Sequence, residues 1–305
     1  MLAYSLMKLM SRIACVQPTC FNDALAYALG QIGWLATPKW RRYMAKENVK
    51  ECLGVSETEA ERIAKESVTR FGRMLIEVLR YPLINQANFR NLVHFEGLEH
   101  LEEAYAEGLG VIMCTAHYGN WEMLGASMAL LGYPILSITR KQNDGDADRF
   151  INEYRQMVGQ HVTYNHGKSS MLSIGRYLKD KHLVGILYDQ DSAHTGEHLE
   201  LFGKPARVPD GAAQLARVFK APIVPLFMHN QPDGTLTAVI HPCFHADPQL
   251  SREENSHVIM EKLIRIAEEE IRRDPAMWFW VHDRWKDGKR RYRDRKHFST
   301  PMTGN

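Results

Sequence analysis

The chain has 305 residues, 38 Lys and Arg against 36 Asp and Glu, and a formal net charge of +2, a length that suits one large α/β domain or two small ones and allows a substantial buried core. Its five cysteines (Cys15, Cys20, Cys52, Cys114, Cys243) are odd in number and form no Cys-x-x-Cys pair, which argues against a disulfide framework or a thiolate zinc site and for a reducing compartment. No signal-peptide cleavage pattern follows the N-terminus, so the chain is expected to stay on the cytoplasmic side.

From Met1 to Leu35 the sequence is apolar in two bursts, Leu2 to Val16 and Ala24 to Leu35, interrupted by Lys8, Arg12 and Asp23. A spanning helix needs about 18 or more uncharged apolar residues, and no such run exists. Leu2, Leu6, Leu9, Met10 and Ile13 recur at helical spacing with Lys8 and Arg12 on the other side. A helix lying in a membrane interface and a helix packed on the core both give this pattern. Helical periods continue through Trp40 to Leu53 and Glu57 to Arg80, the second opened by the capping-box signal Ser56-x-x-Glu59 and closed before Pro82.

After Asn91 the texture changes. Short apolar runs (Leu92 to Phe95, Val111 to Thr115, Ile135 to Thr139, Leu183 to Leu187) alternate with helical ones (Leu98 to Glu107, Trp121 to Leu131, Asp146 to Val158, Met171 to Lys179). This predicts an α/β fold with a mainly parallel mixed sheet flanked by helices, behind a helical N-terminal layer. Asp210 to Lys220 and Ile223 to Phe227 add a further unit. Pro232-Asp233-Gly234 turns the chain into a hairpin partner, Leu236 to Ile240, and Glu253 to Arg272 forms the last long helix. The division is residues 1–90 as a helical, membrane-associating region, 91–286 as the α/β domain and 287–305 as a basic C-terminal tail. From Arg284 to Lys296 eight cationic residues crowd together, which suits an anionic surface, either acidic phospholipid or nucleic acid. Aromatic residues do not interleave with them as in a nucleic-acid module.

Val111-Ile-Met-Cys-Thr-Ala-His117 reads as a buried strand that ends in a turn, with Gly119-Asn120 opening the next helix. This puts His117 at the carboxyl end of a strand and beside the positive end of a helix dipole, where open α/β sheets present chemistry. Glu122 follows in a His-x4-Glu spacing and is expected to fold back onto the imidazole, leaving the other nitrogen as a base. His94-x4-Glu99 and His282-x4-Asp287 have related spacing, but His94 lies inside a strand and His282 in a Trp-rich segment.

Tyr188-Asp189-Gln190-Asp191 closes another buried strand. Two carboxylates spaced in this way could hold a divalent metal in a glycosyltransferase; alternatively Asp189 orients the His117 site or a basic partner without a metal. Arg140, ending the strand Ile135 to Thr139, and Arg155, on the next helix, suit a phosphate or a developing oxyanion. His194-x3-His198 and His241-x3-His245 have a metal-like spacing but no nearby third ligand. No Gly-x-Ser-x-Gly is present, which disfavours a serine hydrolase.

Six ordered blocks together resemble the lipid A biosynthesis acyltransferase family: Ala116-His117-Tyr-Gly-Asn-Trp-Glu122, Thr139-Arg140 followed by Arg155, Tyr188 to Asp191, Leu201-Phe-Gly-Lys-Pro-Ala206, Gly211 to Ala216, and Pro275 to Lys286. The similarity covers about Asn91 to Lys286. It implies catalytic residues His117 and Glu122, an oxyanion- and substrate-binding set of Arg155, Arg140, Asp189 and Gln190, and no cofactor. It further implies acyl-carrier protein as donor, with coenzyme A thioester as the alternative, and a glycolipid hydroxyl as acceptor at the cytoplasmic face of the bacterial inner membrane. A related branch acylates phosphatidylinositol mannosides. The hydrophobic anchor that members often carry is here interrupted by Lys8 and Asp23. The reaction expected is direct transfer: His117 removes the hydroxyl proton as the oxygen attacks the thioester carbonyl, and thiolate leaves. The readings from other classes are the metal-dependent glycosyltransferase and a non-enzymatic peripheral membrane-binding protein.

Overall fold

The computed structural model describes residues 2–165, 167–191, 196–286 and 288–298. Four helices lead the chain: α1 (Leu2–Val16), α2 (Thr19–Ala36), α3 (Lys39–Leu53) and α4 (Glu57–Leu79). Strands and helices then alternate: β1 (Val93–Glu96), α5 (Leu98–Ala106), β2 (Val111–Thr115), α6 (Trp121–Leu130), β3 (Ile135–Thr139), α7 (Gly145–Met157), β4 (Gln160–Tyr164), α8 (Lys168–Lys179) and β5 (Leu183–Leu187). A hairpin of β6 (Glu197–Leu201) and β7 (Lys204–Val208) precedes α9 (Gly211–Phe219), β8 (Ile223–Asn230), β9 (Leu236–Ile240), α10 (Arg252–Arg273) and α11 (Gly288–Phe298).

The larger sheet has the order β1-β9-β8-β2-β5-β3-β4, parallel except where β9 runs antiparallel to β8. The α/β class with a helical N-terminal layer is the one read from the sequence. β2 is buried at all five positions, as a central parallel strand covered on both faces must be. Its side chains alternate between two cores: Ile112 and Cys114 join α8, α9 and α10 on one face, while Val111 and Met113 join α5, α6 and α7 on the other. α4 contributes to both, with Ile63 and Val68 in the first and Ile76 and Leu79 in the second. The N-terminal helices are therefore part of the α/β packing, and the change of texture near residue 90 is not a break in the core.

Three strands differ from the sequence expectation, which placed none there. β4 is a half-buried edge strand of mixed polarity, too polar to stand out as an apolar run. The β6–β7 hairpin turns through Phe202 and Gly203, both at positive φ (55° and 69°), so its signal is hidden behind a residue that rarely adopts that conformation. The expected capping box at Ser56 is one-sided: the hydroxyl accepts from Glu59 N, but the Glu59 carboxylate turns to Arg62. The reciprocal box forms at Ser251 and Glu254, opening α10.

The N-terminal helix is packed on one face and open on the other. α1 docks on α7 and on the end of α4 through a mixed face: Met7, Met10 and Ala14 join the second core, Tyr4 O–H donates to Glu153, Lys8 Nζ lies 2.9 Å from the same carboxylate, and Ser11 O–H donates to Leu79 O at 2.6 Å. The apolar stripe of Leu2, Leu6, Leu9, Ile13 and Val16 is exposed, and α2 adds Phe21, Tyr27, Ile32 and Leu35. No helix among the described residues is long and apolar enough to cross a membrane. All five cysteines are unpaired. The segment expected as a basic tail is, over Gly288–Phe298, a helix packed on α3.

α2 and α4 approach at backbone contact because neither carries a side chain at the crossing. A Cβ built on Gly30 would lie 2.5 Å from Thr69 Cα, and one on Gly72 would lie 2.6 Å from Ala26 O. Gly30→Val should force the helices apart at a cost of at least about 1–3 kcal/mol, the usual range for overpacking. A thermal melt that matched the unmodified protein would show that the crossing is not close-packed.

Candidate active site

The site is built at the carboxyl ends of β2 and β5, which are neighbours in the sheet. That adjacency brings together residues 72 positions apart. His117 N donates to Asp189 Oδ2 at 3.0 Å, and the imidazole Nδ1 lies 2.7 Å from Asp189 Oδ1. The indole Nε1 of Trp278 donates to Asp189 Oδ2 at 2.8 Å. Asp189 is 5% exposed. Burial alone would raise its pKa, but the imidazole and the donated hydrogen bonds outweigh that and hold the carboxyl down at about 2. An ionised carboxylate only accepts, so Nδ1 directs a proton at Asp189 and Nε2 is the ring nitrogen that this contact leaves unengaged. The imidazole is partly exposed, and Trp121 sits edge-on to it at 5.0 Å between centroids.

The turn that carries His117 is locked by its neighbours. Gly119 has φ +56°, and a Cβ there would lie 1.8 Å from Met228 O, so only glycine fits. Gly119 N donates to Met277 O, and Phe279 N donates to His117 O. Asn120 caps α6 by accepting from Met123 N, while its amide donates to Glu77. Tyr118 points the other way and donates to Glu270 O at 3.1 Å. Glu270 is gripped by His229 (2.8 Å) and His241 (3.0 Å), which hold its pKa down to about 2 against the opposing effect of burial.

The expected contact between Glu122 and His117 is not the one formed. Both Glu122 oxygens are taken by Arg155, at 2.8 Å from Nε and 2.6 Å from Nη2, while Arg155 Nη1 donates to Asn152 at 3.2 Å. The physical reason is that Glu122 is in the first turn of α6 facing α7, whereas Asp189 reaches the imidazole from the adjacent strand. The same pairing leaves Arg155 bound to a carboxylate rather than free to receive an oxyanion. Arg140 is exposed at the end of β3, and Gln190 is half-buried directly after Asp189.

The two carboxylates of Asp189-x-Asp191 engage separate partners. Asp189 faces His117, and Asp191 pairs with Lys286. His241 and His245 likewise have different partners, Glu270 and Glu107, and His194 lies outside the described residues. His94 is exposed on β1. His282 lies close enough to feel Asp189 and His117, and burial pushes its pKa down to about 4, so it is neutral at pH 7. The structure adds residues whose roles the sequence did not disclose: Trp278 and Phe279, which clamp the turn, and Arg284, a buried guanidinium without a hydrogen-bond partner among the described residues. Burial lowers the pKa of Arg284, and the charges of Asp189 and Asp191 oppose that shift. A Trp-rich block directly after the last long helix was the available signal for all three.

A buried carboxylate, an imidazole with one nitrogen held and the other open, and an aromatic wall form a site equipped for proton removal. The family described as bacterial lipid A biosynthesis acyltransferase matches residues 10–287. The chain belongs to that family and is an acyltransferase, and the match extends beyond the six blocks into α1. Similar proteins include a phosphatidylinositol mannoside acyltransferase of Mycobacterium tuberculosis, 28% identical over 223 residues, covering 66% of this chain and 70% of the relative. A lipid A biosynthesis palmitoleoyltransferase of Escherichia coli is 26% identical over 84% of this chain and 83% of its own. A lipid A biosynthesis acyltransferase of Haemophilus influenzae is 24% identical over 87% and 81%.

Breaking the buried Glu122–Arg155 pair should be costly: Glu122→Ala is expected to destabilise by about 3–5 kcal/mol because it strands a buried guanidinium. The replacement of both partners by apolar residues of similar volume should recover much of that loss, read by denaturant melts. Asp189 has a depressed folded-state pKa, so the stability it contributes is present above its ordinary value of 3.8 and lost as pH falls toward about 2. The stability gap between the unmodified protein and Asp189→Asn should narrow over that window; a gap independent of pH would contradict the depressed Asp189 carboxyl.

Proposed function

We propose that this enzyme transfers a fatty acyl chain from an acyl thioester, carried by acyl-carrier protein, to a hydroxyl of a glycolipid, a lipid A precursor in the first instance. The observation that carries the reading is the short hydrogen bond between His117 Nδ1 and buried Asp189 Oδ1, which leaves Nε2 as a general base. His117 removes the proton of the attacking hydroxyl, the new C–O bond forms as the C–S bond breaks, and thiolate departs. A thiolate is a good leaving group, so the base alone meets the main requirement for proton transfer. Asp189 positions the ring and stabilises the imidazolium, and Trp278 holds Asp189. Glu122 and Arg155 brace the floor of the site through their bidentate pair.

A phosphatidylinositol mannoside is the second acceptor to consider, supported by the 28% identity to the mycobacterial enzyme. The exposed apolar residues of α1 and α2 support docking on the inner leaflet with the site facing an insoluble acceptor, because contiguous exposed apolar surface marks an interaction site.

His117→Ala should keep its fold and lose about 10²- to 10⁴-fold in turnover, the usual worth of a general base. Asp189→Asn should lose turnover while the thioester is still bound. Mass spectrometry of lipids after incubation with acyl-carrier-protein and coenzyme A thioesters reads out donor and acceptor together, and near-normal transfer by a folded His117→Ala protein would sink the mechanism. Deletion of Met1 to Val16 should reduce binding to anionic vesicles; unchanged retention would count against α1 as a docking element.

A further inference from the structure

We infer that the outward face of α11, carrying Lys289, Arg290 and Arg293, is the docking surface for the acidic carrier protein that delivers the acyl thioester; the inference rests on the thioester donor proposed above. α11 is mounted against the body of the enzyme. Tyr292 packs on Tyr43 with 5.6 Å between ring centroids, Arg291 Nη1 bonds both Glu51 oxygens at 2.9 and 3.0 Å, and Arg295 lies 3.6 Å from Glu47 and over the Tyr43 ring. These contacts neutralise one side of the helix. Lys289, Arg290 and Arg293 are exposed on the remainder, and Asp294 is the one acid among the described side chains of α11.

The helix also begins at the site. Trp278 holds Asp189, Phe279 holds the His117 carbonyl, and Lys286 pairs with Asp191, after which α11 starts at Gly288. A carrier bound along its first turns would stand beside the Lys286–Asp191 contact, two residues along the chain from Asp189.

The occupant favoured is a protein rather than a lipid surface. A helix that lies in a membrane interface needs an apolar face, and no large apolar side chain is exposed among the described side chains of α11, whose Tyr292 is spent on Tyr43. Exposed apolar side chains lie instead on α1 and α2. Cations clustered on a rigid helix raise the encounter rate with an acidic partner and make it salt-dependent.

The experiment compares the full-length enzyme with the triple variant Lys289→Glu, Arg290→Glu, Arg293→Glu, using acyl-carrier-protein and coenzyme A thioesters of one acyl chain. The expected result is a fall of roughly tenfold or more in kcat/KM with the carrier protein, carried by KM and shrinking as salt rises. Turnover with the small thioester and binding to anionic vesicles should stay within about twofold. Unchanged kinetics with the carrier protein would overturn the docking surface, as would equal losses with both donors. Loss confined to vesicle binding would assign α11 to the membrane and overturn it too. If the unmodified enzyme turned over neither thioester, the acyl-donor reading itself would fail, which separates the two failures.

Discussion

The hydrogen bond from His117 to Asp189 depends on one topological fact, that β2 and β5 are adjacent and parallel with their carboxyl ends level. Parallel strands end their chains on the same side, so a turn residue from each meets over the sheet edge. Burial makes this contact strong in two ways. It removes the water that would compete for the carboxylate, and it makes an uncompensated charge at Asp189 expensive enough that three donors converge on it. The imidazole is thereby held through Nδ1, with Nε2 left unengaged by this contact.

The clamp formed by Trp278 and Phe279 extends that order through the chain. The segment after α10 returns to the sheet edge, bonds the turn on both sides of Tyr118 through His117 O and Gly119 N, and supplies an indole donor to Asp189. It then continues into α11. The same stretch therefore carries, in sequence, the contacts to Asp189 and His117, the Asp191–Lys286 contact and the basic helix. On the opposite side, Tyr118 anchors the turn to Glu270 and its two histidines. Consecutive residues thus face opposite ways, His117 partly open to solvent and Tyr118 sunk in a polar network, with a β-bridge to the Trp278 segment holding the turn between them.

The N-terminal helices show how burial can reverse an expectation drawn from periodicity. A Leu stripe opposite Lys8 normally implies a buried Leu face. In α1 the docked side combines Met7, Met10 and Ala14 with Tyr4, Lys8 and Ser11, which bond Glu153 and the end of α4, while the Leu residues of the stripe are left in the open. An exposed stripe of this length costs solvation unless something apolar covers it.

Local pattern was sufficient for the strand-end placement of His117 and for most helices, because buried parallel strands read as short apolar runs and helices as 3.6-residue periods. It was also sufficient to single out Asp189 and Arg155 as residues of interest. It could not pair them. Sequence distance favoured Glu122 as the partner of His117, five residues away, over Asp189, 72 residues away; the order of strands in the sheet decided otherwise and gave Glu122 to Arg155. The edge strand β4 and the β6–β7 hairpin were invisible because their stability comes from neighbours rather than from their own apolar content. Whether the α1 stripe faced protein or solvent, and whether the basic end was a tail or a mounted helix, were likewise decided only by packing. A one-dimensional pattern states that a face is apolar or charged, and only the tertiary structure states what lies against it.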